Sequence, residues 1–188
     1  MKRAAIGIRA HSGWGAVVAV SSSDAGIEVI DRRRIAITDP NVAGANQPYH
    51  FAQGQKLADA EAYLAECASV SERLAVEGLG EVVKELRRRE HVAVGCAILL
   101  ASGRALPSLA KILESHPLIH TAEGEFFRQA FWKACDRLEI PVTAIRERDL
   151  DGSAELRSKI AALGKSVGPP WTTDQKTASL AAMLVLSG

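Results

Sequence analysis

The pattern of apolar positions along the chain predicts five β-strands. The first three are short alternating or apolar segments separated by turns, which predicts an antiparallel meander whose first hairpin covers residues 4–22. The fourth is an uninterrupted apolar run, which is typical of a strand buried on both faces. In chain order the strand segments are "AAIGIRA", "AVVAVSSS", "IEVIDRRRIAI", "HVAVGCAILLAS" and "IPVTAI".

Apolar residues at helical spacing predict six helices between and after these strands. The last one begins with Thr172 and Gln175 at capping-box spacing. A meander followed by alternating helices and strands predicts an α/β fold, a mixed sheet with helices on both faces, in a single domain over residues 1–188. The predicted helical segments are residues 53–68, 71–90, 103–115, 121–139, 150–164 and 172–186.

Composition narrows the class of protein. The chain has 188 residues, 47% of them hydrophobic and 24% charged, with a formal net charge of +1, as in an average soluble globular protein. This charge argues against a nucleic-acid or membrane surface over the whole molecule, but it leaves room for a local basic groove. The three cysteines are predicted to be buried free thiols. With no signal peptide and no membrane span visible, we expect a cytoplasmic protein.

Two segments, "AIGIRAHSGWGAVVAV" and "DQKTASLAAMLVL", together with the order of elements, resemble the ribonuclease-H-like superfamily in its Holliday-junction-resolvase branch. Sugar-kinase and actin-like domains begin with a similar order, but they require an acidic first hairpin. The resemblance implies a fold with a β-meander followed by αβαβα. It also implies acidic metal ligands on the first strand, on the strand "VAVGCAILL" and at the start of the closing helix.

Only the last of these acids is present. Arg9 stands at the first position, Gly95 and Cys96 occupy the second strand, and Asp174 alone matches. Two-metal phosphodiester cleavage needs several carboxylates around two divalent cations. The resemblance therefore implies a divergent member that lacks most catalytic acids.

The remaining charges predict a polar pocket at one edge of the sheet. Asp174 lies on the helix face of Ala178, and Glu123 lies on the helix face of Phe127, so both acids are expected to face inward at helix starts. Asp174 alternatively serves only to complement the helix dipole. The predicted pocket residues, which would bind an anion such as a nucleotide or nucleic-acid phosphate, are Arg9, His11, Arg104, His120, Glu123 and Asp174.

In that pocket Arg9 and Arg104 would hold the anion, and the two acids would orient them, without a cofactor. The segment "IRERDLDG" follows a strand, where ligand crevices form, so Arg146 or Arg148 is a further candidate for an anion contact. "NQPYHF", with Tyr49 and His50, is predicted to be a loop that serves either packing or binding.

Two alternatives stay open, and whether the protein is an enzyme stays open with them. One is a metal-dependent hydrolase or nuclease whose divalent ion is held by His116, His120, Glu123 and Asp174. Pro117 counts against it, because proline disfavours a helical residue before it and so opposes i,i+4 pairing of the histidines. The other is a protein-interaction module, in which Trp14 and Trp171 anchor a partner or a homodimer.

Overall fold

The computed structural model describes residues 1–24, 26–100, 105–150 and 154–188, and within them the backbone forms one five-stranded mixed sheet. The strand order is β3-β2-β1-β4-β5; β1, β2 and β3 are antiparallel neighbours, and β4 is parallel to both β1 and β5. The five predicted strands are confirmed. Their bounds are Lys2–His11 for β1, Trp14–Ser23 for β2, Gly26–Ala36 for β3, His91–Leu100 for β4 and Val142–Arg146 for β5.

Helices cover both faces of this sheet, as the sequence predicts. Alternation along the strands separates two cores: Ile6 and Val17 pack with α2 and α4, whereas Ala5 and Val18 pack with α5 and α7. No helix in the described residues combines the length and apolarity needed to cross a membrane. The helices are α1 Pro48–Ala52, α2 Leu57–Arg88, α3 Leu109–Leu113, α4 His116–Arg137, α5 Ala154–Ala162, α6 Gly164–Val167 and α7 Thr173–Ser187, with a 3-10 turn at Glu147–Asp149.

The prediction of two helices over residues 53–68 and 71–90 was wrong, because α2 runs without a break through that region. Its buried positions continue at spacings of three and four through Cys67, Ser71 and Ala75, so one face stays against the sheet. Gly78 does not end the helix, because the Ile35 side chain fills the space beside it.

Two further boundaries differ from the prediction. The segment predicted as a loop around Tyr49 contains the short helix α1, which begins at Pro48 in the first-turn position that proline favours. Helix α4 begins at His116, five residues before the predicted start. Its second residue, Pro117, is tolerated because backbone N–H groups in the first turn have no partner inside the helix.

Helix α7 lies unusually close to β1. A Cβ atom placed on Gly7 would come within 1.8 Å of the carbonyl oxygen of Ala178, so only glycine fits at this crossing. Farther along the helix, a Cβ atom on Gly95 of β4 would come within 2.7 Å of Val185. The two glycines allow α7 to pack closely against β1 and β4. The first turn of α7 then lies at the carboxyl end of β1.

Replacing Gly7 with alanine should therefore destabilise the protein by at least about 2 kcal/mol, because the new methyl group meets backbone that has no rotamer with which to move aside. Gly80→Ala is the matched control. Apart from its chain neighbours and the backbone of α2, no atom of the described residues lies within 4 Å of a Cβ atom placed on Gly80, and this change should stabilise by about 0.5–1 kcal/mol through helix propensity. Urea unfolding of both variants measures the difference. Equal stability of the two would contradict the close approach.

Candidate functional site

Arg9 is the centre of a charged cluster at the carboxyl end of β1. Its Nη1 donates a hydrogen bond to Asp174 Oδ1 in the first turn of α7. Its Nη2 donates to Oε1 of Glu147, just after β5, at 2.7 Å. The Arg9 and Asp174 side chains are only 25% and 23% exposed, so their charges are partly shielded from water. Three segments distant in sequence thus meet at one guanidinium.

Local structure explains why these side chains point at one another. Arg9 lies on the same face of β1 as Ala5 and Gly7, the face that α7 covers. The capping box formed by Thr172 and Gln175 is present and starts α7 so that Asp174 falls in its first turn.

An aromatic stack extends this cluster along the first hairpin. Nε2 of His11 lies 3.2 Å from Oδ2 of Asp174, and the His11 ring stacks on Trp14 with centroids 4.3 Å apart. The guanidinium carbon of Arg34 lies 4.3 Å from the centre of the Trp14 ring. Cation and indole at this distance attract each other. Trp14 thus packs against side chains of its own hairpin while remaining partly exposed.

A cleft of about 300 Å³ adjoins the cluster between α5 and α7. It contains two basic side chains, Arg157 and Lys176, and two hydroxyl groups, Thr173 and Thr177, close to Glu147. Arg157 donates a hydrogen bond to the carbonyl oxygen of Leu150. Lys176 forms no ion pair with another described residue. The lining residues are Glu147, Leu150, Arg157, Ile160, Thr173, Lys176, Thr177 and Leu180.

A second cluster gathers three of the five histidines around the start of α4. Nε2 of His116 and Nε2 of His120 are 3.0 Å apart, one helical turn from each other. The His50 ring, from α1, lies edge-on to both, with centroid distances of 5.2 Å to His116 and 4.7 Å to His120. One ring nitrogen from each of the three lies within 4.8 Å of the others.

A buried carboxylate lies behind these histidines. Glu123 is 4% exposed and accepts a hydrogen bond from the backbone N–H of His50 at 3.1 Å. Nδ1 of His50 lies 2.9 Å from the same carboxylate oxygen. The pKa of the nearby Tyr49 is raised above its ordinary value, first by burial and second by the negative charge of Glu123.

The structure distributes the five described residues of the predicted pocket over two faces of the sheet. Arg9, His11 and Asp174 meet on the α7 face, whereas His120 and Glu123 belong to α4, which packs on the opposite face. Of the described residues, none joins the two groups by a hydrogen bond, ion pair or ring contact. Arg104 lies outside the described residues. The ligand-binding role of these residues stays a prediction.

Details of α4 also differ from expectation. Glu123 faces inward as predicted, but it lies seven residues beyond the first residue of α4 and not at the helix start. The argument that Pro117 opposes pairing of His116 and His120 was wrong. Both histidines are helical, because proline at the second helical position leaves that turn intact.

Sequence reasoning missed two members of these clusters. Glu147 lies in the segment singled out after β5, but the residues chosen there were its neighbours Arg146 and Arg148. Arg148 instead pairs with the adjacent Asp149 at the exposed surface. His50 was placed in a candidate binding loop, but nothing in the sequence indicated that it would meet His116.

Trp171, the other candidate anchor for a partner, has an internal role. Its indole N–H donates a hydrogen bond to the carbonyl oxygen of Ile160 at 2.9 Å, and the ring packs against Gly164. Homodimer formation through Trp14 or Trp171 stays a prediction, for which a solution mass measurement is the test.

The Arg9–Asp174 pair should contribute a measurable coupling energy. In a double-mutant cycle with Arg9→Ala and Asp174→Ala, we expect a coupling energy of about 1–2 kcal/mol. A partly buried, hydrogen-bonded ion pair contributes more coupling energy than an exposed one. The Arg73–Glu77 pair on α2 is the control, with side chains 58% and 59% exposed and an expected coupling of about 0.3–0.5 kcal/mol. Equal coupling in the two cycles would show that the Arg9 cluster does not hold α7 on β1.

The charge of Glu123 should be visible in the titration of Tyr49. Glu123→Gln should lower the Tyr49 pKa, because the phenolate then forms without a neighbouring negative charge. The pKa should remain above the ordinary value of about 10, since burial is the larger cause. Tyrosinate absorbance in a Tyr63→Phe background isolates the signal, because the chain has two tyrosines. The exposed Glu114→Gln is the control, and an unchanged Tyr49 pKa in Glu123→Gln would contradict the arrangement.

Comparison with known proteins identifies the fold. No protein-family model matches the chain, and no curated protein matches it in sequence. The structure of Thermus thermophilus RuvC aligns with a TM-score of 0.54 and 11% identity, covering 96% of this chain and 91% of that one. T. thermophilus RuvC in complex with Holliday junction substrate aligns with a TM-score of 0.52 and 11% identity, covering 96% and 90%. This chain therefore has the ribonuclease-H-like fold of RuvC, as its order of elements and its first and last segments predicted.

Proposed function

We propose that this protein binds nucleic-acid phosphate at the edge where β1 ends and α7 begins, and that it does not cleave the phosphodiester bond by a two-metal mechanism there. The observation that carries the proposal is the position of Arg9. Its guanidinium lies between the carboxylates of Asp174 and Glu147, at the strand end where the fold's resolvase branch would have an acidic metal ligand.

The residues at this edge do not fit a pair of divalent cations. Both carboxylates already bind Arg9, whose fixed positive charge repels a metal ion. On the neighbouring strand β4, the expected acid is replaced by Gly95 and Cys96. Cys96 is fully buried, and its pKa is raised by a hydrogen bond with Cys135 and by burial, so it stays a neutral thiol.

The same residues suit a phosphate group. Asp174 and Glu147 each accept from one terminal nitrogen of Arg9, which fixes the plane of the guanidinium while other N–H donors remain. Lys176 and Arg157 add positive charge in the adjacent cleft, and Thr173 adds a hydroxyl donor.

The fold supports the choice of the first probe. One of the similar solved structures is a RuvC in complex with Holliday junction substrate, so a four-way DNA junction is the natural ligand to compare with duplex and single-stranded DNA. A net charge of only +1 means that binding must come from a local arrangement and not from the field of the whole molecule.

Binding of labelled DNA, followed by fluorescence anisotropy across a salt series, tests the proposal. Lys176→Ala should weaken binding and reduce the slope of log affinity against log salt by about one, because one phosphate contact is lost. Arg9→Ala should weaken binding further, since Asp174 and Glu147 then repel phosphate. Arg73→Ala, on the exposed surface of α2, should change neither the affinity for DNA nor the salt slope.

Two results would contradict the proposal. The first is that the protein does not bind DNA, or that Arg73→Ala weakens DNA binding as much as Lys176→Ala does. The second is magnesium- or manganese-dependent cleavage of the junction by the wild-type protein that disappears in Asp174→Asn. That second result would show that the residues at this edge of the sheet cleave DNA with the help of divalent metal ions.

A further inference from the structure

The histidine cluster on the opposite face of the sheet has the composition of a metal site. His116 and His120 lie one turn apart on α4, and His50 approaches from α1, 66 residues earlier in sequence than His116. Nε2 of His116 and Nε2 of His120 lie within hydrogen-bond distance of each other, and the His50 ring contacts both rings edge-on. Three imidazole nitrogens with an open fourth position are a zinc ligand set.

The distances are close to those that such an ion requires. Ligand nitrogens about 2.0–2.1 Å from a tetrahedral ion lie roughly 3.3 Å from one another. Nε2 of His116 and Nε2 of His120 are 3.0 Å apart, and the three ligand atoms lie within 4.8 Å of one another. His116 and His120 are exposed, so modest side-chain rotation brings the set together without moving the backbone.

Glu123 supplies the group that usually stands behind a metal-binding histidine. Its carboxylate lies 2.9 Å from Nδ1 of His50, and it is held in place by the His50 backbone N–H. Nδ1 is buried but is not aligned with a hydrogen-bond acceptor. A small rotation of the ring aligns Nδ1–H with the carboxylate and leaves Nε2 as the ligand atom, the arrangement in which a carboxylate fixes the tautomer of a zinc-bound histidine.

We propose that His50, His116 and His120 bind one Zn²⁺ ion or a similar borderline divalent transition-metal ion, with Glu123 orienting His50 and the fourth position open to water. Asp174, part of the metal set expected from sequence, belongs to the Arg9 cluster and is replaced by His50. Imidazole nitrogens are poor ligands for Mg²⁺ and Ca²⁺, so these ions should not bind here. The site would join α1 to the start of α4.

This proposal is independent of the proposed DNA binding, because the two clusters share no residue and lie on helices that cover opposite faces of the sheet. Glu123 is buried, and among the described residues its hydrogen-bond and ion-pair partners are the backbone N–H and the imidazole of His50. Such a carboxylate needs positive charge nearby, and a metal-bound imidazole provides it.

Zinc binding by the full chain, with any histidine tag removed, is the test. After equilibration with Zn²⁺ and dialysis, elemental analysis should give one zinc per chain, and the unfolding temperature should rise with Zn²⁺ and not with Mg²⁺. His116→Ala and His120→Ala should each abolish stoichiometric binding, and far-UV circular dichroism should show that both remain folded, since both positions are exposed. His11→Ala, a histidine outside the cluster, should keep the zinc.

Two further measurements separate this site from other sources of zinc. Glu123→Gln should weaken zinc binding about 10- to 100-fold while leaving the stoichiometry at saturation unchanged, as expected for a residue that orients a ligand. The Co²⁺-substituted protein should show the visible bands of a tetrahedral ion without thiolate charge transfer, because the cysteines Cys67, Cys96 and Cys135 take no part.

The proposal is overturned if the wild-type chain holds no stoichiometric zinc. It is equally overturned if the double variant His116→Ala, His120→Ala retains the ion, or if the cobalt spectrum shows thiolate ligands. Loss of zinc in the histidine variants with unchanged DNA binding would support this site by itself, whatever the outcome at Arg9.

Discussion

The close approach of α7 to β1 is the constraint on which the Arg9 cluster depends. At Gly7 the helix backbone occupies the space that any side chain would need, so the crossing is fixed by the absence of a Cβ atom. With α7 seated there, its capping box sets where the helix starts, and Asp174 in the first turn reaches the end of β1. If α7 lay one side-chain layer farther from β1, Arg9 and Asp174 would be too far apart to hydrogen-bond and would be hydrated instead.

The presence of an arginine at the end of β1 changes what this edge of the sheet is able to do. A guanidinium between Asp174 and Glu147 forms an ion pair with both carboxylates without any metal ion. It is a fixed charge with directed donors and not a Lewis acid, so it suits holding an oxyanion better than activating water. The fold is that of RuvC, but function belongs to the site and does not follow from the fold.

The two clusters solve the same electrostatic problem in different ways. Each contains a helix carboxylate that is at least partly withdrawn from water and therefore needs a positive partner. Asp174 receives a permanent cation from β1, whereas Glu123, within the described part of the chain, pairs with the backbone N–H and imidazole of His50. Among the described residues no arginine or lysine pairs with Glu123, and this difference is why the histidine cluster is the stronger candidate for a metal.

Local pattern was enough to determine the strands, the final helix and its cap, and the inward direction of Asp174 and Glu123, because strand and helix periodicities are properties of short segments. The order of elements restricts topology, and together with the resemblance of the first and last segments to a known superfamily it identified the fold. Tertiary structure alone decided the partners. Arg9 with Glu147, and His50 with His116, are separated by long stretches of chain, and no local spacing encodes which strand end or helix turn they meet. It likewise decided that α4 and α7 cover opposite faces, which turned one predicted pocket into two clusters, because the face a helix covers is set by how the whole sheet packs.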